Sequence, residues 1–79
     1  MNEIHLKEIK INTEYIKLDQ FLKFSDLVGS GGEARFYIAQ NTIYVNDERE
    51  TRRGRKLFNG DIISINNEDY IIVQNGEQK

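Results

Sequence analysis

LDQFLKFSDLVGSGGEARFYIAQN, residues 18–41, carries two helical periods on either side of a glycine turn, and the fold follows from it. Leu18, Phe21 and Leu22 fall at i, i+3 and i+4, and Val28 continues that face at i+10, which predicts an amphipathic helix of about ten residues. Asp19 in its first turn suits the positive end of the helix dipole, and Phe24 and Leu27 widen the apolar stripe. Val28-Gly29-Ser30-Gly31-Gly32 stops this helix. Ser30 and Glu33 then make an S-x-x-E capping box that opens a second one. Ala34, Tyr37 and Ile38 line its inner face, Arg35 points elsewhere, and Asn41 closes it as a residue that tolerates the left-handed conformation. Two helices about a glycine turn make a helix-turn-helix-like pair.

On both sides of this pair the period changes to that of strands. Upstream, Ile4, Leu6, Ile9 and Ile11 alternate with polar residues except between Leu6 and Ile9, which predicts one bulged strand or two short ones. Thr13–Ile16 extends toward the first helix. Downstream, Ile43 and Val45 alternate, Asn46-Asp47 turns, a basic run leads to Leu57, and Asn59-Gly60 turns again. Asp61–Ile65 and Tyr70–Val73 about Asn66-Asn67 read as a hairpin. The expected architecture is α+β: two helices packed on a small, mainly antiparallel sheet, in one domain spanning residues 1–79, with flanking strands at 3–15 and 64–74.

Composition narrows the function. A chain of 79 residues buries about 60% of its unfolded surface, leaving little core from which to shape a catalytic cleft. There is no cysteine, which removes disulfides, thiolate nucleophiles and cysteine metal sites together. His5 is the only histidine and falls in an expected strand near the N-terminus, so a metal site would have to rest on scattered carboxylates. No catalytic constellation is visible, and the expectation is a non-enzyme without a cofactor or small-molecule substrate. No apolar stretch approaches the roughly 20 residues of a membrane span, and the N-terminus lacks a signal-peptide pattern, which points to the cytoplasm.

Charge is segregated. RETRRGRK, residues 49–56, sets Arg49, Arg52, Arg53, Arg55 and Lys56 against Glu50 alone, a net +4; the chain totals −2, so the remainder carries −6. Guanidinium forks match phosphate oxygens, so a flexible positive loop between strands suits a nucleic-acid backbone. Asp47, Glu48 and Glu50 beside these arginines read as ion-pair partners. A second candidate is the turn Ser30-Gly31-Gly32 with Arg35, where helix N-terminal amides unobstructed by side chains can meet a phosphate. Adjacent glycines there also fit close packing of the two helices. Tyr15, Tyr37, Tyr44 and Tyr70 could stack bases or serve as core and rim.

Taken together, residues Ile16 to Ile63 resemble the S4 RNA-binding domain family. The resemblance rests on Leu-Asp-x-Phe-Leu-Lys, then Ser-x-x-Glu-Ala, a Val-Asn turn, the basic segment, and Leu-x-x-Gly-Asp-x-Ile, in that order. SGGEAR and NDERETRRGRKLFNGD are similar to small bacterial S4 proteins of the YaaA/YbcJ type. The resemblance implies an S4-like (αL motif) fold with Leu18, Phe21, Leu22, Ala34, Ile38 and Val45 in the core. It also implies a basic face for structured RNA, rRNA or tRNA, formed by Lys23, Arg35, Arg52, Arg53, Arg55 and Lys56. Lys17 stands where the family often has arginine, and Gly31-Gly32 replaces an Arg-x or Lys-x pair that often follows the serine.

The expected function is recognition of folded RNA, ribosomal in the first instance, in ribosome assembly or quality control. The mechanism is phosphate neutralisation and shape recognition. The second reading is a protein-interaction adaptor on the same scaffold, supported by the acidic remainder and by Phe24, Phe36 and Phe58. The two readings separate on whether these aromatics cluster away from Arg52–Lys56.

Overall fold

Residues 6–75 are described here in a computed structural model; Ile4, His5 and the start of the expected first strand at Glu3 lie outside them. The chain runs β1 (Leu6–Ile11), β2 (Tyr15–Lys17), α1 (Leu18–Phe24), α2 (Gly31–Gln40), β3 (Ile43–Val45), β4 (Glu48–Arg49), β5 (Lys56–Phe58), β6 (Ile62–Ile65) and β7 (Glu68–Gln74). Five strands form one sheet in the order β1-β7-β6-β3-β4, while β2 and β5 pair separately. All neighbours are antiparallel except β1 and β7, which run parallel.

Two turns of asparagine and aspartate set the register. Asn46-Asp47 and Asn66-Asn67 all have positive φ, between 52° and 70°, as two-residue hairpin turns of type I′ require. Asn46 also ties its turn to the next one: its amide donates to Asp61 Oδ1 (3.0 Å) and its carbonyl oxygen accepts from Ile62 N (3.0 Å). Gly60, at φ 92°, closes the turn between β5 and β6. With register fixed, Ile43, Val45, Ile63, Ile65, Tyr70 and Ile72 fall on one face and are buried. Against them pack Leu18, Phe21 and Leu22 of α1 and Ala34 and Ile38 of α2. Phe21 meets Tyr70 edge to face, ring centroids 5.3 Å apart.

Three expectations need correction. β1 is one unbroken strand, in continuous register with β7 from Leu6↔Asp69 to Ile11↔Gln74. As an edge strand it buries only Ile11 fully, so broken alternation costs it little. Asn41 caps α2 in an extended conformation (φ −124°), and its side-chain amide donates to Tyr37 O at 2.9 Å. The first helix has seven residues, not about ten. Asp26 takes a left-handed conformation (φ 64°), Asp26 N donates to Lys23 O (3.1 Å) and Leu27 N to Leu22 O (3.0 Å). This is a Schellman ending, which turns the chain so that Leu27 and Val28 still reach the core. The apolar period continued past Phe24, but the helix did not. Among the described residues, no helix is long and apolar enough to cross a membrane.

A side chain in the left-handed region is held there at a cost that glycine avoids. Asp26→Gly is therefore expected to stabilise the fold by up to about 1 kcal/mol, raising the calorimetric Tm by roughly 4–8 °C. An unchanged or lowered Tm would show that the Asp26 side chain contributes something the backbone geometry does not reveal.

Candidate nucleic-acid interface

The basic run is not a free loop. Glu50 is 4% exposed, and its carboxylate accepts from the amides of Thr51 (3.1 Å) and Arg52 (2.8 Å). It also accepts from Arg52 Nε (2.9 Å), Arg52 Nη2 (3.0 Å) and Arg55 Nη1 (2.7 Å). Glu50 N donates to Ile43 O (2.8 Å), which pins the carboxylate to β3. The expected ion pairs are thus made by Glu50. Hydrogen bonds from Arg52 come first among the causes that hold its pKa at about 2, against the opposing effect of burial.

The same segment is anchored to α1 through its backbone. Leu18 N donates to Arg55 O (2.8 Å) and Asp19 N to Arg53 O (3.0 Å). A helix begins with amides that have no partner inside it, and here the basic segment supplies two of the missing acceptors. Lys17 stands at the N-cap with extended backbone, its amide donating to Gln20 Oε1 (3.2 Å). Asp19 Oδ1 is sealed from water on this turn and has no hydrogen-bond partner among the described residues.

This docking gathers Arg52, Arg53, Arg55 and Lys56 around the start of α1. It adds Lys17, which lies directly across the β2–β5 ladder from Lys56. Two exposed ammonium groups facing each other on adjacent strands repel, and an anion held between them relieves that repulsion. The pairing joins positions 39 apart, so no local pattern announced Lys17 as part of the cluster. Lys56 Nζ also lies over the Tyr15 ring, 4.8 Å from its centroid. Arg53 is exposed, and no carboxylate of the described residues lies within ion-pair distance of it. Arg49 lies further off, in β4 opposite Tyr44.

The other expected residues fall on the helices. Lys23 is exposed on the last turn of α1, and Arg35 is exposed on α2. Ser30 caps α2, its hydroxyl accepting from Glu33 N at 3.3 Å. Glu33 does not return to the cap amide as expected; its Oε1 accepts instead from Gly29 N (2.6 Å). Gly31 and Gly32 are not explained by close packing: a β-carbon on Gly31 would meet nothing within 4 Å, and on Gly32 only the Ser30 hydroxyl at 4.0 Å. Crowding falls on Gly29, where a β-carbon would stand 3.1 Å from Glu33 Oε1. The α2 start is sterically open, with the Glu33 carboxylate already at its positive end.

The aromatic residues divide in the same way. Tyr70 is buried, and burial, with its hydrogen bond to Glu68 next, pushes its pKa up to about 12. Tyr37 is half-buried and accepts from Asn66 Nδ2 (3.1 Å); burial raises its pKa. Tyr44 is exposed on the outer sheet face. Phe58, next to Lys56, packs against Tyr15 with centroids 5.7 Å apart, and Phe24 lines a cavity with Tyr15. Phe58 therefore adjoins the basic segment, Phe24 lies on that cavity at the far end of α1, and Phe36 lies apart, in a shallow depression with Leu27 and Val28.

The order of these elements is that of an S4 domain. The S4 domain profile matches residues 9–73, and the chain belongs to that family. It is also similar to the probable ribosome maturation protein RlbA of Bacillus subtilis (strain 168), with 49% identity over 57 residues, covering 72% of this chain and 80% of that protein.

The Glu50 carboxylate, held at about 2 when folded against 4.5 as its ordinary value, stabilises the folded chain fully above about pH 4.5. That contribution is lost as pH falls toward 2, since protonation breaks the arginine pairs. Glu50→Gln is expected to cost about 1–3 kcal/mol at neutral pH and to flatten the loss of stability between pH 4.5 and 2. Chemical denaturation of both proteins across that range checks it; parallel curves would remove Glu50 as the acid-sensitive group.

Proposed function

We propose that this chain binds folded ribosomal RNA through the basic segment docked on α1, and acts in ribosome maturation. The observation that carries this reading is the pair of backbone bonds from Leu18 and Asp19 to the carbonyls of Arg55 and Arg53. They hold a cluster of cations in one shape at one helix start, which suits the irregular but fixed phosphate positions of a folded RNA. Membership of the S4 family supports RNA as the partner, and similarity to the ribosome maturation protein favours rRNA over tRNA.

In this reading Arg53, Lys56 and Lys17 neutralise phosphates directly. Arg52 and Arg55 do so with the donors that Glu50 leaves free, since each guanidinium has five N–H groups. Lys23 extends the positive surface along α1, whereas Arg49, across from Tyr44, lies on the outer sheet face and stands apart from it. Ser30, Gly31, Gly32 and Arg35 offer a second phosphate position, weaker because Glu33 occupies the same helix end. The chemistry is charge neutralisation and shape recognition; no reaction is assigned to the chain. Phe58 adjoins the cations, while Phe24 and Phe36 line two separate recesses instead of sharing one patch, which favours RNA over the adaptor reading.

The test is binding to rRNA across a salt series. Four or five phosphate contacts predict a log–log slope of roughly −3 to −4 on the single-strand coefficient. Arg53→Ala/Lys56→Ala, which leaves the Glu50 pairs in place, is expected to reduce that slope by about 1.4. A slope indifferent to both substitutions, or no binding at low salt, would overturn the proposal in favour of the protein adaptor.

A further inference from the structure

Beside the basic segment, a cavity of about 470 Å³ opens between β1, β2 and α1. It draws on the N-terminal strand, and of the residues expected to contact RNA only Lys23 lines it. Tyr15 and Phe24 supply aromatic surface, Phe24 with 64% of its area exposed. Such exposure of a phenylalanine ring is unfavourable unless something covers it. Lys10 and Lys23 stand at its margin, and no carboxylate of the described residues lies within ion-pair distance of either. Asn12 and Gln20 add amides; Gln20 uses its oxygen on Lys17 N, and no described group engages its NH2. Aromatic faces, unpaired ammonium groups and idle amides in one recess are what an unstacked nucleotide requires: a stacking surface, phosphate charge and donors for a base edge. The volume lies within the range of small-ligand pockets, roughly 300–1,000 Å³.

We propose that this cavity takes an unpaired nucleotide flanking the RNA element that the basic segment grips. The proposal rests on the RNA-binding reading above. Continuity between the two sites comes from Tyr15, which lines the cavity and carries Lys56 of the basic segment over its ring. A duplex laid along the cations at the start of α1 thus meets a place for a single strand beside it. The aromatic cavity reads the end or bulge of the helix, and the basic segment reads its backbone.

The experiment uses the full chain and two RNAs: a blunt hairpin, and the same hairpin with a three-nucleotide single-stranded extension containing 2-aminopurine. The extended RNA is expected to bind about five- to a hundred-fold more tightly, with its 2-aminopurine fluorescence quenched on binding. Phe24→Ala, at an exposed position, is expected to abolish that advantage and the quenching while blunt-hairpin binding stays unchanged. Arg53→Ala is expected to weaken both RNAs by the same factor. Equal affinity for the two RNAs, or an advantage that survives Phe24→Ala, overturns the cavity proposal and leaves the basic-segment reading standing. Failure of both RNAs to bind overturns both.

Discussion

Five donors converge on the Glu50 carboxylate, two from backbone amides and three from guanidinium groups, and only 4% of the residue meets solvent. Without that carboxylate, Arg52 and Arg55 would repel each other and Arg53 between them, and a chain carrying this density of charge would spread into solvent. With it, the segment turns back on itself, Arg55 N donating to Arg52 O at 3.2 Å, and the carbonyls of Arg53 and Arg55 come to face α1. One buried negative charge thus converts a run of like charges into a surface with a shape. The cost of burying it is offset because all its neighbours are donors.

The helix needs the segment as much as the segment needs the helix. Seven residues are too few to hold a helix in water alone, since nucleation is costly and few internal hydrogen bonds follow. α1 is stabilised by Leu18, Phe21 and Leu22 in the core, by the Schellman ending at Asp26 and Leu27, and by the two carbonyls at its start. The core and the basic surface therefore share Leu18, whose side chain is buried while its backbone amide holds the carbonyl of Arg55. This couples folding to function, so a substitution that loosens the basic segment also frays the helix that supports it.

Much of this was legible in the sequence, because the signals were local. The helix pair, the asparagine turns at 46–47 and 66–67, the Gly60 turn and the core positions follow from period and turn chemistry, which act within a few residues. What was not legible depends on distance along the chain. Parallel pairing of β1 with β7 joins residues more than sixty apart, and nothing in the alternation of either strand encodes it. Lys17 opposite Lys56, and the caps from Arg53 and Arg55 to α1, depend on tertiary register in the same way. The Glu50 clamp was half visible: its sequence neighbours announced ion pairs, but only burial separates it from Asp47 and Glu48, which are exposed. Apolar periodicity overruns the end of α1 because it reports which residues reach the core, and Leu27 and Val28 reach it from a turn.

Amide chemical shifts of the labelled protein, followed during titration with an rRNA fragment, show whether RNA meets the basic segment and the start of α1 as one surface. The largest changes are expected at residues 17–19 and 50–56, moving together, with smaller ones at 30–35 and little change at Tyr44, Ile62 and Ile71 on the outer sheet face. Changes concentrated on that outer face, with residues 17–19 and 50–56 unmoved, would contradict that reading.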